Sequence, residues 1–224
     1  DVSTDAHLIA DGRGFKQDIS GIIGSYGKVE SPHYLILTAE AGRRGYLEIG
    51  YRYEFVVLAL AVRDIATCWI GKGFRGVVRG HLDLAEGQEP RALIALGRKP
   101  EQDRLAEIKD PKRKDLEVFL VETKLNELDA RTKEAVDCLR RAPSSLNSQP
   151  WRVIVKGKDI HLYLKTRNSL VRSLASQVVD MNQIDGGIGL CHLKVAGDHL
   201  WDRAVLKEAG HPEVKGLSYV ATMV

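Results

Sequence analysis

Helices and strands alternate along this sequence, and they do so twice in the same order. That predicts a mixed α and β fold made of two similar halves. Three observations carry the prediction. Short β-rich runs bounded by proline or glycine recur along the chain. Longer segments with apolar residues at helical spacing separate them. The strand, helix, strand order of the first half then returns in the second. With 224 residues and 44% hydrophobic content, the chain is too apolar for disorder and long enough to bury a core without disulfides or a metal.

The elements follow in chain order. Asp1-Val2-Ser3-Thr4-Asp5 is polar, unlike a secretory signal. His33 to Thr38 follows Pro32 and reads as a strand, and Gly42 to Gly45 reads as a loop. A helix is expected from Gly50, with Phe55, Leu58, Ala59 and Val62 on one face. Phe55 to Val62 is the most apolar run, less than half the ~20 residues of a membrane span, and is expected to be a buried helix. Thr67 to Ile70 is a short apolar segment closed by Gly71-Lys72-Gly73. Pro90 launches a strand through Gly97, and the charged stretch Arg98 to Lys114, with Pro100 and Pro111, reads as a linker.

In the second half a helix spans Asp129 to Arg141, with Ala135, Cys138 and Leu139 inward, and Pro143 ends it. Trp151 to Val155 and Ile160 to Leu164 are strands joined by a Gly157-Lys158 turn, the second with period-two alternation. Gln177 to Leu200 is a long helix with Ile188, Cys191, His192 and Val195 at helical spacing, and Ser218 to Val224 is a final strand. Pro32 to Leu37 lines up with Pro150 to Val155, so the halves are drawn at 1–110 and 111–224.

Charge and cysteine usage exclude several classes. A net charge of +3 is too mild to indicate nucleic acid. The three cysteines form no C-x-x-C and each is read in an apolar helical stretch, so they are expected as reduced, buried thiols in a cytoplasmic protein. The histidines show no metal-ligand spacing. Asp180 and Asp185 flank a helix and read as packing or cap residues, and His192 as a core histidine. Gly186-Gly187-Ile188-Gly189 lacks the preceding strand of a dinucleotide fingerprint, and its small residues suit close packing against the counterpart helix of the first half.

The most specific string is Arg140-Arg141-Ala142-Pro143-Ser144-Ser145-Leu146-Asn147-Ser148-Gln149-Pro150-Trp151. A helix stops, a polar loop follows, and a second proline launches a strand. Hydroxyls and amides held there suit the polar edge of a flat heterocycle, which carries donors and acceptors together. They equally suit a connection in which Ser and Asn satisfy turn backbone. The residues alone leave both readings open.

This string resembles the nitroreductase family of flavin enzymes, whose pattern is close to A-P-S-x-x-N-x-Q-P-W. Glu54 to Leu60 followed by Thr67 to Phe74 looks like that family's central helix and T-C-W-I-G-x-F segment. Pro90 to Gly97 with Lys112 to Leu116 looks like its late strand and basic tail. The resemblance extends to nitroreductases with two fused halves in one chain.

The resemblance implies an α+β fold, a mixed, mostly antiparallel sheet wrapped by helices, with the two halves forming a pseudo-dimer. It implies FMN as cofactor, NAD(P)H as electron donor, and a nitroaromatic, quinone or similar small molecule as acceptor. The cofactor-binding residues it implies are Pro143, Ser144, Ser145, Asn147 and Gln149 in the loop, the backbone at Ile70 and Gly71, and Arg113 for the phosphate, alongside Lys112 or Lys114. Trp69 and Trp151 are expected to be core residues. No catalytic acid or base and no metal is assigned.

The first half has Gly24 to Val29 where the loop is expected, without the asparagine, and the second half lacks the I-G-x-F turn. One composite site, and one FMN per chain, follows. The family's R-R-S-x-R helix has no match in Asp1 to Phe15, which contains only Arg13. A flavin-binding or storage protein without turnover, or a scaffold without flavin, are the alternatives. A monomer is expected, with a homodimer as the other case, and neither nucleic acid nor membrane is expected as a partner.

Overall fold

The structure, a computed structural model, describes residues 2–19, 29, 31–71, 78, 80, 82–98, 112–166 and 176–224. The chain divides into two compact units, Asp1–Ile108 and Lys109–Val224. Lys72 to Phe74, Gly24 to Lys28 and most of the expected linker lie outside the described residues.

The first unit contains strand β1 (Thr4–Ile9), helix α1 (Gly12–Ile19), β2 (His33–Ala39), α2 (Arg43–Ala61), β3 (Ile65–Ile70) and β4 (Glu89–Arg98). The strands form one antiparallel sheet in the order β1-β2-β4-β3. Phe15, Tyr34, Ile36, Ile70, Leu93 and Ala95 pack into one buried cluster. Between β2 and β4 the register slips, because Arg91 has no opposite residue: Leu37 faces Ala92 and Thr38 faces Pro90. A bulge is where a strand tolerates proline, which has no N–H to give to the ladder.

Helix α2 begins at Arg43, seven residues before the expected Gly50, so the expected Gly42 to Gly45 loop is mostly helix. Gly42 turns the chain with φ +125°, open to glycine alone. A Cβ at Gly45 would come within 2.6 Å of Glu40 O, so its lack of a side chain lets the helix start close to β2. The buried residues of α2 are Gly45, Tyr46, Ile49, Gly50 and Glu54. The expected inner face is not the observed one: Phe55 and Val56 are exposed, and Val62 is 85% exposed. The periodicity was real but belonged to a different stripe, because a charged residue, Glu54, lies on the buried face. Its Oε2 accepts the Trp69 indole N–H at 2.8 Å, which satisfies a carboxylate that would otherwise be costly to bury.

The second unit opens with a 3-10 turn, Leu116–Phe119, and continues with α3 (Ala130–Arg141), β5 (Trp151–Lys156), β6 (Asp159–Lys165), α4 (Ser176–Trp201), β7 (Leu206–Lys207) and β8 (Leu217–Met223). Asp129 caps α3 by accepting the Thr132 N–H at 3.0 Å, and Pro143 lies just beyond its C-cap, Ala142. Gly157-Lys158 forms the expected two-residue turn, with Lys156 facing Asp159 and φ +61° at Gly157. The alternation expected along β6 does not separate inside from outside, since Ile160 to Leu164 are all buried. His161 and Tyr163 on its polar side are covered, and burial pushes the His161 pKa down.

The second sheet is antiparallel in the order β5-β6-β8-β7. Rank for rank, this is the order of the first sheet. The final strand again carries the extra residue: Leu162 faces Ala221 and Tyr163 faces Tyr219, leaving Val220 without an opposite residue. The two sheets therefore share a strand order, and it differs from the alignment expected from sequence. By sheet position β2 corresponds to β6, and β5 corresponds to β1, so Pro32 to Leu37 does not match Pro150 to Val155. Gly24 to Val29 likewise lies after β1, not before it, and is not the positional counterpart of the Pro143 to Trp151 loop.

Two further expectations change. In α4, Gly189 and Gly197 allow close packing within their own unit. A Cβ at Gly189 would overlap the Trp151 indole, and one at Gly197 would crowd Met223 and Ala204. Only Cys191 is fully buried; Cys138 is half-buried and Cys68, on β3 rather than a helix, is exposed.

Candidate functional site

The Pro143 to Gln149 loop joins the end of α3 to the start of β5, and its backbone is unusual. Leu146, Asn147 and Gln149 have φ of +53°, +52° and +49°. Each non-glycine residue in this left-handed region carries a steric cost of about 1–2 kcal/mol, less for asparagine. Such conformations persist only where the surroundings over-determine them, and they concentrate at functional sites.

The surroundings here are a dense set of hydrogen bonds. The Ser144 hydroxyl accepts the Gln149 N–H at 3.0 Å. The Asn147 N–H donates to Ser144 O at 3.0 Å, and the Ser148 N–H to Ser145 O at 3.1 Å. Gln149, 1% exposed, donates from Nε2 to Asn147 O at 3.0 Å and to Asn147 Oδ1 at 3.1 Å.

The basic triplet ahead of α3 completes the loop. Arg113 donates from Nη1 to Asn147 Oδ1 and from Nη2 to Arg141 O at 2.8 Å. Asn147 Nδ2 donates to Lys112 O at 3.1 Å. The Lys114 N–H donates to Gln149 Oε1 at 2.9 Å, and its ammonium donates to Ser148 O. This triplet lies in the second unit, against the loop itself.

Burial, followed by the charges of Arg152 and Lys165, holds the Lys114 pKa below its usual value. Arg152 is itself 8% exposed, lies over the Phe119 ring at 5.9 Å, and is also shifted down by burial. Positive charge thus accumulates beside the loop, and an anion would relieve it. Such a donor set suits an anionic group, a phosphate among them.

The structure brings together Ser144, Ser145, Asn147, Gln149 and Arg113, with Pro143 at the loop's start. Ile70 and Gly71 belong to the first unit, at the end of β3, where Ile70 is 7% exposed. Trp151 is fully buried and donates its indole N–H to Asp185 O at 2.9 Å, so it is a core residue as expected. A cavity of about 400 Å³ elsewhere in this unit is lined by Tyr163, His211, Tyr219 and the 212–217 segment, and includes none of the expected site residues.

Of the two readings of Asp185, packing residue and cap, the structure keeps the first. Asp185 is 2% exposed and stands well inside α4, so it is no cap. Its Oδ1 accepts the Ser145 N–H at 2.9 Å, and its Oδ2 accepts the Ser148 hydroxyl at 3.4 Å. The available signal was an acidic residue within the otherwise apolar and glycine-rich run Ile184 to Gly189.

A family model described as "Putative TM nitroreductase" matches residues 11–197. No curated protein matches. Among solved structures, a putative nitroreductase of Thermotoga maritima MSB8 superposes with a TM-score of 0.62 at 20% identity, over 99% of this chain and 74% of that one. A nitroreductase family protein of Clostridium novyi NT gives 0.37 at 18% identity, over 56% of this chain and 75% of that one. A putative nitroreductase of Bacillus subtilis gives 0.38 at 16%, over 54% and 77%. The Thermotoga structure shares the fold, antiparallel sheets with helices. With the family model spanning the loop, the basic triplet and the long helices of both units, the chain belongs to the putative TM nitroreductase family of nitroreductases.

Proposed function

We propose that this protein is an FMN-dependent oxidoreductase that passes hydride from NAD(P)H to a nitroaromatic, quinone or similar small acceptor, with one FMN per chain. The observation that carries the reading is the strained Pro143 to Gln149 loop fastened to a basic triplet, in a chain of the nitroreductase family.

In this reading the chain's own residues bind and orient. Lys112, Arg113 and Lys114 hold the phosphate, with a guanidinium and an ammonium as charge-assisted donors. Ser144 and Ser145 offer hydroxyls to the ring or ribityl chain. Asn147 and Gln149 act chiefly by fixing the loop, because their amides bond Lys112, Arg113, Lys114 and each other. The backbone at Ile70 and Gly71 is a proposed N–H donor to the ring. Bound FMN supplies hydride chemistry at its ring. No protein acid or base is required for hydride transfer.

The test is the near-ultraviolet and visible absorption spectrum of the purified protein, before and after addition of FMN. Flavin at about one equivalent per chain, followed by NAD(P)H oxidation with menadione or a nitrofuran, is the expected result. Protein that takes up no flavin refutes the reading. Flavin uptake without turnover leaves a flavin-binding protein in its place.

A further inference from the structure

We propose that Asp185 is the positioning residue of the Ser144 to Gln149 turn, its carboxylate setting the backbone that the flavin would meet. The inference rests on the oxidoreductase reading. Asp185 projects from the interior of α4, forty residues along the chain from Ser145, and is almost wholly buried. Burying a carboxylate is costly, and an apolar residue would pack there without that cost. Its oxygens instead take Ser145 N at 2.9 Å and Ser148 Oγ at 3.4 Å, so they grip the turn on both sides of Leu146 and Asn147. Those two residues, with Gln149, are the left-handed ones.

A backbone of this kind relaxes unless it is held from outside. Further groups hold it: Lys112, Arg113 and Lys114 from the chain ahead of α3, and Ser144 from within the turn. Arg113 links the turn to the last carbonyl of α3, whereas Asp185 ties it to the interior of a long helix, and a rigid helix is what keeps a binding loop in its bound geometry before the ligand arrives. The same residue's main-chain carbonyl takes the Trp151 indole at 2.9 Å. Asp185 therefore bonds both ends of the motif, with its side chain at the serines and its backbone at the tryptophan. Substitution of the side chain removes the first tie and leaves the second.

That separation gives the experiment. Asp185→Ala and Asp185→Asn are made in the full chain. Hydrogen exchange of the Ser145 amide and of the Trp151 indole is followed by NMR, and FMN affinity by titration. In Asp185→Ala the Ser145 amide is expected to exchange at least about tenfold faster, the indole within about twofold of wild type, and FMN to bind at least about tenfold more weakly. Asp185→Asn, which keeps one acceptor for Ser145, recovers part of both effects and carries the test if the alanine variant does not fold.

The proposal is overturned if FMN affinity in Asp185→Ala stays within about twofold of wild type. It is also overturned if Ser145 and the indole loosen together, which a merely structural role predicts. Should wild-type protein bind no FMN, the oxidoreductase reading falls, and the Ser145 exchange rate still decides whether the carboxylate anchors the turn.

Discussion

Gly189→Ala separates local propensity from tertiary packing, because the two predict opposite signs. In a helix interior, alanine is favoured over glycine by about 1 kcal/mol, so propensity alone makes the variant more stable. The packing says otherwise. A Cβ at residue 189 would overlap Trp151 Nε1, and would lie 2.6 Å from Trp151 Cδ1 and 2.8 Å from Leu139 Cδ1. Neither neighbour is a flexible chain end: the indole is fully buried and bonded to Asp185 O, and Leu139 is fully buried on α3. Overpacking of this kind costs about 1–3 kcal/mol. Displacing the indole leaves a buried donor and acceptor unpaired, about 1–3 kcal/mol more. Less the propensity gain, the net destabilisation is about 3 kcal/mol, which lowers the midpoint of the second unit by roughly 10 °C. Thermal and urea unfolding followed by tryptophan fluorescence would measure it. The reasoning also predicts non-additivity: Trp151→Phe, which removes the indole nitrogen, should cost less in the Gly189→Ala background than alone. An unchanged or raised midpoint in Gly189→Ala would refute the packing account.

Three other outcomes are expected. Leu146→Gly should stabilise by about 0.5–1 kcal/mol, since the side chain is 67% exposed and the change relieves a left-handed φ; a thermal melt checks it. Asp129→Ala should cost about 1 kcal/mol at neutral pH through loss of the α3 cap. The Thr132 hydroxyl and N–H hold the Asp129 pKa below its usual value, so this contribution is full above the unfolded pKa and vanishes as pH falls through the folded one; wild-type and variant stabilities should converge in acid. Arg113→Ala and Asn147→Ala should each weaken FMN binding by about 1–3 kcal/mol, and the double variant by less than their sum, because the two side chains bond each other. Additive losses in a titration series would show that they act separately.

Local chemistry made much of the fold legible. Proline at position 143 cannot continue a helix, and glycine at 157 supplies the positive φ of a two-residue hairpin, so both boundaries could be read from single residues. The facing of α2 could not. Its apolar residues do recur at helical spacing, but periodicity says which side chains share a stripe, not which stripe meets the sheet. The buried residues are Gly45, Tyr46, Ile49, Gly50 and Glu54, two of them glycines and one a carboxylate. Hydrophobicity cannot find a face whose close approach depends on a missing side chain and whose charge is satisfied by an indole fifteen residues away. The alignment of the halves failed for a related reason. Pro32 and Pro150 each precede a β-rich run, but strand rank is set by pairing partners, and only register shows that β2 answers to β6.

The candidate site divides in the same way. The identities of Ser144, Ser145, Asn147 and Gln149 were visible as a motif, and the motif carried the family. Their conformation was not, because leucine and glutamine give no local sign of a left-handed backbone. What imposes it comes from elsewhere in the chain: Lys112 to Lys114 from more than thirty residues upstream, and Asp185 from as far downstream. Asparagine 147 shows how this alters a role. From the motif it is a ligand-facing amide; in the structure its carbonyl oxygen takes Arg113 and Gln149 while its nitrogen serves Lys112. An amide used that way contributes to binding by holding others in place. The loss of affinity in an Asn147 variant should therefore track the loosening of Arg113, which a titration at rising ionic strength can resolve. In the proposed site, screening would weaken the pairing of Arg113 with the phosphate in wild type and narrow the gap to a variant that has already lost it.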